Sequence, residues 1–406
     1  MLHQGSSGLL NAASAARCVR RRPMRAARGG VCLRSLLIGL GCLAACSPGL
    51  AAKVLRVGPD RSLQMPSDAA AVAEDGDVVR LDPGEYVDCA IWRANDLVLE
   101  APGGAAHVRE RACADKASWV IAGDDVTVDN ITFSGARVPD QNGAGIRAEG
   151  RNLTVRNSRF YDNENGILGA AVEGSTVLIE GSVFERNGKC AANCAHGVYV
   201  NQIDRLKVVA STFRAQRVGH HIKSGALALE VIGSTIEDGA EGTASYLIDV
   251  TAGGEVVIAD NQMQKGPKSE NWSTAIHIAG KDATQDASAY RISGNRFRSD
   301  NPHEVAFVRN RSTVPAVLEG NRLEGAVVPL VGPGTVDSDQ KPSVEAAARD
   351  RPQQEAAASA AEEPAAGLAV VDDIEAKLRL LKRWFEEGLI TEEEYAAKKA
   401  QLLRSL

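Results

Sequence analysis

Aromatic residues make up only 4% of this 406-residue chain, which argues against a core built on bulky ring anchors. Clustered Lys and Arg are missing from its body, and the net charge is −6, so phosphate neutralisation and nucleic-acid binding are not expected. No group of Asp or Glu recurs at one position of the pattern described below, and Asp124, Asp125 and Asp129 read as surface residues, so no metal is expected. No cofactor-binding motif stands out either. The one apolar run, Ser35-Leu-Leu-Ile-Gly-Leu-Gly-Cys-Leu43, is too short to span a bilayer.

That run follows Arg17, Arg20, Arg21, Arg22, Arg25, Arg28 and Arg34, and small residues come after it. A basic segment, a short apolar segment and small residues make a signal peptide over residues 1–52, with Met24 as an alternative start. Two outcomes fit. Cleavage near Ala51 or Ala52 releases a soluble protein. Alternatively, Leu43-Ala-Ala-Cys46 resembles a bacterial lipobox, which implies a lipid anchor on Cys46. Either way the expected location is extracytoplasmic: periplasmic, outer-membrane lipoprotein or secreted.

Four of the eight cysteines lie in this leader. The other four, Cys89, Cys113, Cys190 and Cys194, are an even set suited to an oxidising compartment. Three connectivities exist, and proximity favours Cys89–Cys113 and Cys190–Cys194. A metal site is the competing reading, but Cys190-x3-Cys194 has no second close pair.

What the chain does contain is a repeat. Val126-Thr-Val-Asp-Asn-Ile-Thr-Phe133 is echoed by Leu153-Thr-Val-Arg-Asn-Ser-Arg-Phe160 and Val177-Leu-Ile-Glu-Gly-Ser-Val-Phe184. The unit recurs at 206–213, 229–236, 256–263, 290–297 and 316–323. Each alternates apolar and polar residues, passes a Gly, Asn or Ser, and ends on one large apolar residue: Phe133, Phe160, Phe184, Phe213, Ile236, Met263, Phe297 and Leu323. A period in the mid-twenties, with strands and no intervening helices, predicts an all-β, right-handed parallel β-helix over residues 53–336, with three strands per coil and like residues stacked inside. A propeller needs about 40 residues per blade. Asn130, Asn157, Asn295 and Asn321 are expected at sharp turns, since Asn tolerates left-handed backbone. Residues 67–74 suggest a short helix capping the first coils.

Residues 337–367 turn to Ala, Glu, Pro, Gln and Ser, the composition of a disordered linker. In 368–406, Ile374, Leu378, Leu381 and Phe385 recur at helical spacing up to Gly388. Thr391-Glu-Glu-Glu394 is a capping box that opens a second helix. This hairpin resembles the short C-terminal domain family known as SHOCT, through Gly388-Leu-Ile-Thr-Glu-Glu-Glu-Tyr395. The resemblance implies a protein partner or self-association and no chemistry; a solubilising tail is the plainer alternative.

A second register of the repeat carries the candidate chemistry. Gly145-Ile-Arg147, Gly166-Ile-Leu168, Gly197-Val-Tyr199, His221-Ile-Lys223, Leu247-Ile-Asp249 and Ala275-Ile-His277 align, with the middle residue expected inside and both neighbours outside. The downstream outward column then reads Arg147, Leu168, Tyr199, Lys223, Asp249 and His277. The upstream one holds Gly145, Gly166, Gly197, His221, Leu247 and Ala275. His196, His220 and Tyr246 sit two residues before the middle position; parity turns them inward, but a strand start beside a turn often breaks parity, so their direction stays open.

Such a face suits β-elimination on an acidic polysaccharide. A base removes the proton alpha to a uronate carboxyl group, a cation stabilises the enolate, and an acid protonates the leaving oxygen. Lys223, His220 or His196 are candidates for the base, Arg147 or Lys223 for the cation, and Tyr199 or a histidine for the acid. His221, Tyr246, Asp249 and His277 are candidate substrate contacts. Hydrolysis needs two carboxylates flanking the bond, and this column supplies only Asp249, with Glu149 and Glu164 nearby. Read one at a time, Lys223 and Asp249 also fit a cross-strand ion pair, and Arg147 a solvated strand residue.

The segments Asn142-Gly-Ala-Gly-Ile-Arg147, Asn163-Glu-Asn-Gly-Ile167, His196-Gly-Val-Tyr199 and Gly219-His-His-Ile-Lys-Ser224 resemble bacterial right-handed β-helix proteins of the pectate-lyase-like superfamily. The resemblance implies the fold, and an extracellular or envelope polysaccharide as partner. Its members include lyases and hydrolases, and a non-catalytic glycan-binding or structural envelope protein is the alternative. The sequence departs from calcium-dependent pectate lyases in lacking a stacked acidic position.

Overall fold

The computed structural model describes residues 52–190, 193–279, 287 and 290–337, together with isolated positions 378, 381, 382, 395, 396, 399 and 400. The expected leader, with Cys46, and nearly all of the linker lie outside the described residues. Of the expected hairpin only those seven isolated positions are described, all helical.

Three parallel sheets run the length of the described body, one of twelve strands and two of ten. The first sheet begins at Val54–Val57 and ends at Gly334–Val336. The second runs from Gly84–Tyr86 to Arg322–Glu324, and the third from Ala90–Trp92 to Val327–Val331. Each strand pairs with its equivalent one coil before and one coil after, so the chain coils as a solenoid of three-strand turns. A short helix, Pro66–Ala70, lies near the N-terminal end. It is shorter than the sequence suggested. Proline opens it, the Asp68 carboxylate accepts from the Gln64 and Met65 amides, and Ala69 joins the core.

The anchor residues of the repeat stack in register: Phe133, Phe160, Phe184, Phe213, Ile236, Met263, Phe297 and Leu323 are successive neighbours in the second sheet. The first four rings lie nearly parallel, with centroids 5.0, 4.7 and 4.6 Å apart. Against the expectation from composition, rings do anchor this core. A solenoid needs only one large residue per coil, so a low aromatic content suffices.

At the corner between the first and second sheets, two columns sit side by side. Asn130, Asn157, Gly181, Ala210, Gly233, Asp260, Gly294 and Gly320 all take positive φ. The next residue faces inward and caps the coil: Ser158, Ser182, Ser211 and Ser234 accept through Oγ, and Asn261, Asn295 and Asn321 through Oδ1, from a backbone amide of the preceding coil. Asn130 and Asn157 are thus turn residues as expected. Asn295 and Asn321 are not; they belong to the buried ladder, one position later, and the preceding glycines make the turn. The ladder satisfies buried amides that the sheets leave over.

Cys89 is bonded to Cys113, and Cys190 to Cys194.

Candidate functional site

The third sheet holds the polar face. Val198, Ile222, Ile248 and Ile276 stack in register and point into the core, all fully buried. The residues after them, Tyr199, Lys223, Asp249 and His277, stack on the outside, continuing backwards to Leu168 and Arg147 and forwards to Arg309. That column forms as alternation predicts, although the sequence reading ended it at His277.

The upstream column does not form. A Cβ on Gly145 would meet the Phe160 and Phe133 side chains, and one on Gly166 would meet Phe184, so this position faces the phenylalanine stack. Its later members Leu247 and Ala275 are core residues. Ala144, one residue earlier, instead shares the outer face with Val120 and Leu168. Two consecutive residues therefore turn inward at the strand start, and the residue before them turns out, as in a β-bulge. This settles three open directions. His196, His220 and Tyr246 belong to the outer face. His221 does not: it is buried, with Nε2 2.9 Å from Asp238 Oδ1, and takes no part in the polar face.

On that face His196, His220, Tyr246 and His277 form one stack of rings, with centroids 4.8, 4.9 and 4.7 Å apart. Each early member accepts from the next coil's backbone. Asn165 Oδ1 accepts from the His196 amide, His196 Nδ1 from the His220 amide at 3.0 Å, and His220 Nδ1 from the Tyr246 amide at 3.2 Å. A backbone amide only donates, so both histidines keep Nδ1 bare and, when neutral, carry their proton on Nε2. Burial pushes both well below the usual histidine range, so they are neutral at pH 7.

Asp249 joins the two halves. Its Oδ1 accepts from His277 Nδ1 at 2.9 Å, and Oδ2 faces His220 Nε2 at 3.5 Å, an electrostatic contact rather than a hydrogen bond. Burial alone would raise this carboxyl; the His277 hydrogen bond and the nearby His220, His277 and Lys223 outweigh it and hold Asp249 below the usual carboxylate range, hence ionised. Asp249 and His277 are closed off from solvent.

Of Tyr199, Lys223, Asp249 and His277, Tyr199 and Lys223 are the two that reach the surface. Lys223 Nζ lies 5.0 Å from the centre of the Tyr199 ring. The Tyr199 hydroxyl donates to Asn201 Oδ1 at 2.9 Å, and Asn201 Nδ2 donates to the Gly169 carbonyl, which fixes the hydroxyl. Burial, then the charge on Asp249, raises the Tyr199 phenol. Arg147 is further along, with Nε 3.5 Å from Glu149. Asn201 was missed from sequence; it lies two residues beyond Tyr199, where only the hydroxyl's reach gives it meaning.

Among the described residues no three His, Cys, Asp or Glu side chains gather as metal ligands, and no helix is long and apolar enough to cross a membrane. A depression lined by Ala171, Glu173, Gln202, Ile203, Asp204 and Leu227 lies at another corner of the coil and contains none of these groups.

The family described as "Right handed beta helix region" matches residues 111–263, which cover the coils from the first disulfide through most of this face. The described body, residues 52–337, is an all-β parallel β-solenoid, and the match supports a right-handed β-helix. Among solved structures, an alginate lyase from Paenibacillus sp. str. FPU-7 is similar at 18% identity, with a TM-score of 0.55, over 70% of this chain and 99% of that one. A Geobacillus virus E2 protein, ORF18, aligns at 16% identity and a TM-score of 0.39, over 68% of this chain and 55% of that one. A pectin methylesterase in complex with a hexasaccharide aligns at 9% identity and 0.32, over 74% and 94%. No curated protein matches the sequence.

Proposed function

We propose that this β-helix cleaves an acidic extracellular or envelope polysaccharide by β-elimination, with Lys223 as base and Tyr199 as acid. The observation that carries the reading is the surface pair Tyr199–Lys223, seated over a buried, ionised Asp249. The raised phenol of Tyr199 keeps its proton at neutral pH, which suits a donor to the leaving glycosidic oxygen. His196 and His220 are poor bases, since a backbone amide occupies each one's bare nitrogen. They act instead as a wall that fixes Asp249 and Tyr246. Lys223 is then the base within reach of substrate. Acting as the neutral amine, after losing its proton to solvent, it takes the proton alpha to the uronate carboxyl group, the electron pair forms the double bond, and the glycosidic C–O bond breaks as its oxygen takes the Tyr199 proton. Arg147 is placed to meet a uronate carboxylate two coils from Tyr199. The similar Paenibacillus alginate lyase adds weight to an acidic glycan as partner.

Two disulfides and the signal-like N-terminus support an extracytoplasmic protein, whether freed by cleavage or anchored at Cys46. The SHOCT-like segment is proposed as its contact to a protein partner or a second copy.

The test is incubation of the mature protein with alginate, pectate and glycosaminoglycans while following ultraviolet absorbance of the unsaturated product. A rise with one polymer supports the reading. A flat trace with all three, alongside retention on one of them, replaces catalysis by glycan binding.

A further inference from the structure

The second sheet carries a separate polar cluster on its outer face, towards the N-terminal end. Four successive strands, Gly84–Tyr86, Ala106–Arg109, Ile131–Ser134 and Arg159–Tyr161, each supply one side chain: Glu85, His107, Ser134 and Tyr161. Register fixes their order. Glu85 lies opposite His107, and His107 opposite Thr132. Ser134, two residues past Thr132 and so on the same side of the sheet, lies opposite Tyr161. The cluster crosses four coils on a diagonal, on a different sheet from Tyr199 and Lys223.

The histidine joins the other three. Ser134 Oγ is 2.7 Å from His107 Nε2, and the Tyr161 hydroxyl is 3.1 Å from the same nitrogen. On the far side of the ring, Nδ1 lies 3.8 Å from Glu85 Oε1, within ion-pair range and longer than a hydrogen bond. A carboxylate on that side favours the tautomer with its proton on Nδ1, which leaves Nε2 bare to accept. Ser134, the nearer hydroxyl, then donates to it. Arg109 Nε donates to Glu85 Oε2 at 2.8 Å and its other arm pairs with Glu110, so the Glu85 carboxylate is held in place. Burial, opposed by the Glu85 charge, lowers His107 below the usual histidine range, so the ring is neutral at pH 7. A hydroxyl bonded to a neutral imidazole whose far nitrogen faces a carboxylate is the arrangement of nucleophile, base and orienting group used in acyl transfer. Ser134 is only 8% exposed, while His107 and Tyr161 are partly exposed and Glu85 is open. A small acyl group therefore suits the serine, with the alcohol part of its ester left in solvent.

We infer that Ser134 is the nucleophile of a second site, a serine esterase acting on short-chain O-acyl esters. His107 is its base, Glu85 the positioning residue, and Tyr161 the donor to the carbonyl oxygen. Ser134 Oγ bonds to the ester carbonyl carbon and gives its proton to His107 Nε2, while the Tyr161 hydroxyl turns to the oxyanion. The carbon–oxygen bond to the alcohol breaks, and the alcohol oxygen takes the proton from His107. Water, deprotonated by the same nitrogen, then releases the acid and restores Ser134. None of this rests on the lyase reading of the third sheet.

The experiment incubates the mature protein with the p-nitrophenyl esters of acetate, butyrate and octanoate and follows nitrophenolate release. In parallel, a fluorophosphonate probe is applied to the wild type and the labelled peptide is found by mass mapping. The expected result is label on Ser134, acetate turned over faster than octanoate, and a loss of roughly a hundredfold or more in kcat/KM for Ser134→Ala and for His107→Ala. Tyr161→Phe should lose roughly a hundredfold in kcat. Glu85→Gln should lower the rate and move the acid limb of the pH profile downwards, since it removes the charge that favours the protonated ring. Arg109, Glu110 and Tyr161, the other titratable or charged groups beside the ring, stay in place in that variant. His303→Ala, at an exposed histidine elsewhere, should change nothing. Thermal melts check the folding of each variant, and labelling of the wild type needs no variant at all. Absence of label on Ser134 in the folded wild type, or hydrolysis equal to wild type in Ser134→Ala, overturns the site. Loss in His107→Ala with full activity in Ser134→Ala makes the imidazole itself the nucleophile and overturns the assignment to Ser134.

Discussion

Lowering the pH below about 6.5 should destabilise this protein through two histidines alone. His196 and His220 fold with Nδ1 accepting a backbone amide, and burial holds both well below the ordinary value near 6.5. In the unfolded chain both titrate near 6.5. The native state favours the neutral ring, so the stability it gains is fully present above the unfolded pKa and is lost as pH falls from there towards the folded pKa. Each histidine contributes at most ~1.4 kcal/mol per pH unit in that window, so the slope of the pair is at most about 2.7 kcal/mol per unit. A net stability of 5–15 kcal/mol is typical, so a slope of that order is readily measured. Asp249, held low, contributes in a separate window, retaining its share above the unfolded carboxylate value near 3.9 and losing it further down. Other groups packed on the stack are Tyr246, His277 and Lys223, and Lys223's charge reinforces the histidine effect. Urea unfolding at half-unit pH intervals measures the slope. Asn165 already performs the acceptor role one coil below His196, so His196→Asn with His220→Asn should keep the ladder and flatten the profile between pH 5 and 6.5. A wild-type profile flat over that range, or one equally steep in the double variant, would refute the reasoning.

Further outcomes follow from the same geometry. Phe184→Ala removes a ring stacked between two others and should cost 3–5 kcal/mol by chemical denaturation, against under ~1.5 for Phe184→Met. Lys265 is fully buried, with Nζ donating to the Ser245 and Ala244 carbonyls, and burial pulls it down to about 8. Stability should therefore rise with pH between 8 and 10.5 by up to about 3 kcal/mol, and Lys265→Met should abolish that rise in urea titrations. Asn201→Ala frees the Tyr199 hydroxyl and should lower kcat on a confirmed polymer roughly tenfold or more while the melting temperature barely moves. Arg147→Ala should raise KM and flatten the dependence on salt.

The coil register was legible to the residue, because one large apolar side chain per coil survives insertions of any length in the turns. Phe133 through Leu323 align in the sheet as they align in the sequence. The outer column from Arg147 to His277 was legible for the same reason. Strict alternation failed at the strand start, where a bulge sends two neighbours inward, so His221 was placed on the wrong face and His196 and His220 were left undecided. The signal was present: Gly145, Gly166 and Gly197 recur at the position where a Cβ would strike a ring or a backbone carbonyl. Asn295 and Asn321 were misread because a turn residue and a buried amide ladder differ by one position. Arg309 was passed over beside the apolar Phe307 and Val308, although it continues the column.

The most direct test of elimination at Tyr199 and Lys223 is a digest in heavy-oxygen water with product masses read by spectrometry. Elimination leaves an unsaturated sugar end and takes no oxygen from solvent, whereas hydrolysis incorporates one. The account predicts unsaturated, unlabelled products from the wild type and none from Lys223→Ala or Tyr199→Phe. Labelled saturated products, or undiminished unsaturated ones from both variants, would contradict it.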